Sequence, residues 1–316
     1  MSAYAGEPGA PPDPDPPSDP DDDTPLAQAA HTAVSVRTGR TATLPRPDRP
    51  RLLTVANQKG GVGKTTSAVN LAAALALGGL DVLVVDLDPQ GNASTALGVE
   101  HHVGTASVGD VLVDGRPLAE VVVAVEGIAG LSCAPATLDL AGAEIELVPV
   151  VAREYRLARA LNTYLADPRG GARHDYVLVD CPPSLGLLTV NALAAVREVL
   201  IPVQCEYYAL EGLGQLLHTV DLVRDQLNPR LAVSTILLTM YDARTRLAAQ
   251  VAAEVRQHFG ERVLPTVIPR SVRVSEAPSY AQTVLTYDPG SSGALSYLQA
   301  ARELATRGRQ TVEEQR

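Results

Sequence analysis

Only two lysines occur in 316 residues, and both lie in one window, Lys59-Gly60-Gly61-Val62-Gly63-Lys64, followed by Thr65 and Thr66. The other 24 basic residues are arginines, so wherever any cation would serve the chain carries a planar guanidinium. A compact ammonium with freely turning donors fits where a fork does not, between the β- and γ-phosphates of a nucleotide. Gly60, Gly61 and Gly63 let backbone N–H groups turn inward on phosphate, a helix opening at the loop adds its positive end, and the Thr65 hydroxyl can ligate Mg²⁺. The segment from Lys59 to Thr66 is therefore the expected phosphate site. It departs from the common G-x-x-x-x-G-K-[ST] form, because Gln58 stands where glycine would be and Lys59 is extra. A dinucleotide G-x-G-x-x-G loop is disfavoured, since Thr66 occupies the place of its third glycine.

Two apolar segments end in aspartate. Asp81 to Asp86 runs on into Leu87 and Asp88, and Tyr176-Val177-Leu178-Val179-Asp180 has the same form. As strands of one parallel sheet, both would deliver carboxylates to its phosphate end. Asp180 fits an acid that orients Mg²⁺ together with Thr65, and Asp88, just before Pro89-Gln90-Gly91-Asn92, fits an acceptor for an attacking water.

The elements that must position these groups are legible from residue 51 onward. Leu52 to Ala56 is a short apolar strand and Thr65 to Leu77 an alanine- and leucine-rich helix, so strand, glycine loop and helix follow in the required order. Further strands are expected at Leu131 to Ala134, Val199 to Val203, Val233 to Thr239 and Val263 to Ile268. Helices are expected at Val151 to Leu165, Leu185 to Val196, Leu210 to Leu227, Leu247 to Phe259 and Gly293 to Thr306. The pattern predicts an α/β fold: a mostly parallel, doubly wound sheet of the P-loop NTPase kind, binding ligand at the carboxyl ends of its strands.

The chain divides into a Pro/Asp-rich tail (1–50), the domain that carries the expected phosphate site (51–308) and a short C-terminal end (309–316). The tail holds 11 of the 24 prolines, and its first 24 residues carry seven acids and no base. Such a segment buries too little apolar surface to offset its ordering entropy, so disorder is expected for it and for the C-terminal end. The tail reads as a solvated linker, or as the recruiter of a tail-binding polar partner. Cys133, Cys181 and Cys205 are scattered, which suits buried thiols in a reducing cytoplasm. No apolar run is long enough for a membrane span, and one Phe with no Trp argues against stacking platforms for bases.

Taken together, Gln58 to Thr66, Asp86-Leu87-Asp88-Pro89-Gln90-Gly91-Asn92, Asp180-Cys181-Pro182-Pro183-Ser184, and Ile268-Pro269-Arg270-Ser271-Val272-Arg273 with Glu276-Ala277-Pro278 closely resemble the ParA (Soj-type) chromosome-partitioning ATPases. The resemblance spans residues 51 to about 308 in matching order. It implies an ATPase that forms an ATP-dependent homodimer, binds double-stranded DNA without sequence preference, and is discharged when a ParB-type partner stimulates hydrolysis. By the same carry-over, Lys59 reaches the other subunit's phosphates, Lys64 holds its own, Asp88 positions water, and Pro269 and Arg270 border the adenine. The implied location is cytoplasmic and nucleoid-associated.

Net charge of −10 opposes DNA binding, but charge is unevenly spread. Residues 221–275 carry eight arginines and five acids, whereas 86–150 carries ten acids and only Arg116. The resemblance singles out Arg244 and Arg273 as DNA contacts. A MinD-like positioning ATPase would need bulky apolar residues on its last helix, yet Arg302 to Arg316 alternates charge. A nucleotide-gated scaffold that does not act on DNA is the other alternative.

Overall fold

The computed structural model describes residues 30, 33–36, 41–167, 174–207 and 209–313, with side chains at 209–212 and 308–313 left aside. Strand β1 (Arg51–Val55) leads through the glycine loop into α1 (Lys64–Leu77), and β2 (Val82–Asp86) into the short helices α2 (Asn92–Ala96) and α3 (Val108–Val113). A two-residue β3 (Val123–Ala124) precedes β4 (Leu131–Ala134), α4 (Leu140–Glu146) and α5 (Arg156–Ala166). The chain continues through β5 (Tyr176–Asp180), α6 (Leu187–Ala195), β6 (Glu198–Gln204), α7 (Ala209–Gln226), β7 (Ala232–Tyr241) and α8 (Arg246–Phe259). It ends with β8 (Val263–Pro269), α9 (Val272–Glu276), α10 (Val284–Tyr287) and α11 (Ser292–Glu313).

These strands form one sheet in the order β3-β4-β2-β5-β1-β6-β7-β8. All neighbours run parallel except β3, which pairs antiparallel to β4 at the edge. The expected doubly wound architecture is present. Both faces of the inner strands are buried, which is why β2 and β5 read as unbroken apolar runs. Alternate residues serve opposite cores. Leu53, Val55, Val82, Val84 and Leu178 pack with α1 and α11, whereas Leu83, Val85, Val177 and Val179 pack with α3 to α8. Helix α1 is buried nearly all round because Ala68, Ala72, Ala73, Ala74 and Ala76 let it lie close to the sheet while α11 covers its outer side.

The structure moves two boundaries. Residues 41–50, placed in the disordered tail by composition, lie against the domain: the Leu44 amide donates to the Gly78 carbonyl (2.9 Å) and its side chain is buried. Arg46 donates to Asp175 (2.6 Å), Asp81 (3.1 Å) and the Gly79 carbonyl (2.9 Å), fastening this strap to the end of the sheet away from the glycine loop. Low hydropathy hid these few contacts. The remainder of the tail, with its proposed polar partner, lies outside the described residues apart from 30 and 33–36. At the other end α11 continues to Glu313, past the expected stop near 306 and into the segment assigned to disorder. The short helices α2, α3, α4, α9 and α10 were not anticipated, because four to seven residues show no helical period. No helix among the described residues is long and apolar enough to cross a membrane.

Candidate nucleotide-binding site

The loop between β1 and α1 owes its shape to residues on three strands. Gly61 and Gly63 take φ of 74° and 85°, the left-handed region that disfavours side chains, and Gly63 is the N-cap of α1. Buried Asn57 pins the entry: its Nδ2 donates to the Pro202 carbonyl (2.7 Å) and its Oδ1 accepts from the Lys59 amide (3.0 Å). On the far side, the buried Thr239 hydroxyl of β7 donates to the Val62 carbonyl (2.8 Å). The loop's carbonyl is thereby turned into the protein. The first α1 amide to bond within the fold is that of Ser67, to the Gly63 carbonyl (2.8 Å), and the amides from Gly60 to Thr66 meet no acceptor among the described residues. Consecutive free N–H groups at a helix N-terminus form an anion cradle.

The two lysines divide at this loop. Lys64 is buried and its Nζ donates back to the Lys59 carbonyl (3.2 Å). Burial lowers its pKa, while Asp180 and Asp88 pull it up. Lys59 points the other way and forms an ion pair with Glu206, just past β6. The sequence assigns no role to Glu206, Asn57 or Thr239, since nothing but position distinguishes them.

Asp86 and Asp180 are cross-strand neighbours in the β2–β5 register, so both carboxylates stand at the carboxyl edge beside the loop. Their environments differ. Asp86 accepts from the Ser94 hydroxyl (2.8 Å), the Ser94 amide (2.9 Å) and the Asp88 amide (3.1 Å), bonds that oppose the upward pull of burial on its pKa. Among the described residues, neither oxygen of fully buried Asp180 has a hydrogen-bond partner. Burial, then the charges of Asp86 and Asp88, raise its pKa well above the usual range, with Thr65 and Lys64 acting in the opposite direction. An acid so placed is suited to a cation held jointly with Thr65. Asp88 is buried and accepts the Gln90 amide at Oδ1 (3.0 Å), which leaves its Oδ2 uncommitted among the described residues. Asp86 is thus tied to Asp88 through the latter's own amide.

Because every strand but β3 runs parallel, their exits reach the same edge, and charge varies along it. Acids dominate at β4 and β2, whereas arginines dominate beyond β7 and β8. Arg244 is exposed and chelates Asp242 (2.9 and 2.8 Å), holding that carboxyl at about 2. Arg273 on α9 is exposed and pairs with Glu276 (3.3 Å) and Asp288 (3.4 Å). Pro269 closes β8, and exposed Arg270 donates its amide to the Tyr241 carbonyl (3.1 Å) and acts electrostatically on Asp242. The structure therefore groups Arg270 with Arg244, outside the cluster of Lys64, Asp86, Asp88 and Asp180.

Thr239→Val removes the bond that turns the Val62 carbonyl inward, about 1 kcal/mol of loop preorganisation. Nucleotide affinity, measured by titrating a fluorescent analogue, should fall roughly fivefold; unchanged affinity would mean the clamp is dispensable.

Residues 50–233 match a family model described as an AAA domain. The chain is 53% identical over 258 residues to the sporulation initiation inhibitor protein Soj of Bacillus subtilis, covering 82% of this chain and 99% of Soj. It is 51% identical over 257 residues to the chromosome partitioning protein ParA of Myxococcus xanthus, covering 81% of this chain and 88% of that protein. Among solved structures, a Mycobacterium smegmatis protein named cobyrinic acid a,c-diamide synthase, crystallised with an ATP analogue and magnesium, superposes with a TM-score of 0.68 at 39% identity, covering 80% of this chain and 93% of that one. With the glycine loop, its paired lysines and the strand-end acids in one site, the chain belongs to the ParA/Soj family of chromosome-partitioning P-loop ATPases.

Proposed function

We propose that this chain is a DNA-segregation ATPase that dimerises on ATP, binds DNA without sequence preference as a dimer, and is released when a ParB-type partner stimulates hydrolysis. The observation that carries the reading is the division of labour between the lysines: Lys64 turned into its own loop, Lys59 turned out to Glu206. A cation needed only for its own triphosphate has no reason to leave the cradle. One that must reach a second copy does.

Thr65 and Asp180 are the residues that would hold Mg²⁺, a fit supported by the two Asp180 oxygens that find no hydrogen-bond partner among the described residues. When bound, the ion neutralises charge developing on the β- and γ-phosphate oxygens. The chain's own residues do the rest. Amides of Gly60, Gly61, Val62, Gly63, Lys64, Thr65 and Thr66 bind the phosphates, and Lys64 donates to them. Asp88 orients the attacking water with its uncommitted oxygen, in an orientation set by Asp86 through the Asp88 amide. Pro269 and Arg270 are proposed at the rim of the adenine site.

DNA would lie across the arginine end of the edge, contacting Arg244 and Arg273. Both are ion-paired in this conformation, but exposed pairs are weak in water, so exchange of carboxylate for DNA phosphate costs little. A dimer presents two such ends and gains from bivalency, which would make the protein nucleoid-associated in its ATP state. The cysteines of this chain offer no reactive thiol. Cys133, Cys181 and Cys205 are buried, and burial pushes Cys181 up to about 12 and Cys205 up to about 11.

The test is DNA binding by the purified protein with ATP, with ADP and without nucleotide, at two salt concentrations. Binding should require ATP and weaken steeply with salt, by about 0.9 in log K per neutralised phosphate for each tenfold rise. Binding indifferent to nucleotide, or none at low salt, would favour a scaffold that does not act on DNA. Arg273→Glu should lower affinity about tenfold at low salt and flatten the salt slope by about one unit per site. Parent-like binding by that variant would remove Arg273 from the interface.

A further inference from the structure

At the acidic end of the carboxyl edge, α4 and the turns after it turn their outer side chains to solvent. Leu138 is 63% exposed, Ile145 77%, Val148 60% and Val151 87%, while Leu140, Ala143 and Leu147 on the inner side are buried. The outer residues from 145 to 151 recur every third position and form a ridge, not scattered surface. Asp139 and Glu146 lie exposed beside it and form no ion pair among the described residues, and Glu144 stands between them in sequence. The nearby cation, Arg153, is already taken by Glu154 and the Val148 carbonyl.

We propose that this ridge docks a short basic amphipathic segment of the partner protein, apolar side chains against Ile145, Val148 and Val151 and cations against Asp139 and Glu146. The proposal rests on the functional reading above, in which a partner stimulates hydrolysis. Charge selects the occupant. A second copy meeting this ridge through a two-fold axis would set like carboxylates against each other, and DNA or an anionic membrane surface would be repelled. A segment with interleaved apolar and basic residues satisfies both features of the surface.

Two sets of contacts run from α4 and the segment before it toward the site. Glu144 Oε1 accepts the Leu188 amide (3.3 Å) and packs so tightly on Gly186 that a β-carbon there would lie 2.3 Å from it, which fixes the loop leaving Asp180. On the other side, Ser94 Oγ accepts the Ala136 amide (3.2 Å), in the segment leading to α4, and donates to Asp86. Docking on α4 therefore bears on both acids that frame Asp88.

The experiment compares the parent chain with Ile145→Ser/Val151→Asp and with Asp139→Lys/Glu146→Lys, adding the intact ParB-type partner and, separately, a synthetic peptide of a basic amphipathic segment of that partner. Both variants should keep basal ATP hydrolysis, ATP-driven dimerisation and DNA binding. Each should need at least about tenfold more partner for the same stimulation, and the charge variant should also lose the salt dependence of that stimulation. If the parent is stimulated and both variants respond equally well, the docking proposal is overturned while the functional reading stands. Loss of ATP-driven dimerisation in the variants would make the ridge a contact between copies and would also overturn it. A parent that neither partner nor peptide stimulates would sink the functional reading, and the docking surface with it.

Discussion

Lys59→Gln is expected to bind ATP nearly as well as the parent and to remain monomeric in its presence. The reason lies in where the ammonium stands. Its own loop does not use it, since the phosphate-facing amides come from Gly60 onward and Lys64 fills the cradle. The Asn57 bond is to the Lys59 amide and survives the substitution, so the loop keeps its entry geometry. Removing a charge that completes a neighbour's phosphate shell costs about 2–5 kcal/mol at each of two symmetric sites, which weakens dimerisation by roughly a thousandfold or more. Light scattering with and without ATP reads the assembly, and nucleotide titration reads the binding. Glu206→Gln is the matched control: it frees Lys59 from its intrachain partner and should leave ATP-driven dimerisation intact. Dimerisation unchanged in Lys59→Gln, or nucleotide binding lost with it, would reject the assignment.

Asp88→Ala should give the opposite phenotype, a dimer that forms on ATP and does not dissolve. The Asp88 side chain bonds to the fold through its Oδ1 and Gln90, at the start of the turn that Gly91 completes, and among the described residues it makes no hydrogen bond to the glycine loop. Binding and assembly should therefore persist. Hydrolysis loses the group that orients water, an effect of about 10²-fold or more for a positioned base. Single-turnover hydrolysis should slow by that factor, with DNA retention prolonged in proportion. Normal turnover would remove Asp88 from the mechanism. The Asp86–Asp88 amide bond predicts that Asp86 variants affect the same step through orientation alone.

The sheet was legible because β1, β2, β5 and β6 are continuous apolar runs, and two of them end in aspartate at one edge. The glycine loop was legible for a chemical reason: a chain that uses arginine everywhere else keeps its two lysines there. What escaped were partners distant in sequence. Thr239 is 177 positions from the carbonyl it holds, and Glu206 is 147 from Lys59, so only the β1–β6–β7 order brings them to the loop. The strap at 41–50 escaped for another reason, since Leu44 and Arg46 secure ten residues whose composition otherwise matches the tail. The short helices between β2 and β5 escaped because tertiary contacts, such as Ser94 on Asp86, hold them more than local propensity does.

A crystal structure of Asp88→Ala with ATP and magnesium tests the central claim most directly, because slow hydrolysis should preserve the assembled state. The account predicts that Lys59 Nζ leaves Glu206 and lies within hydrogen-bond distance of the other subunit's phosphate oxygens. A tight two-fold dimer in which that amine stays on Glu206, or points to solvent, would contradict it.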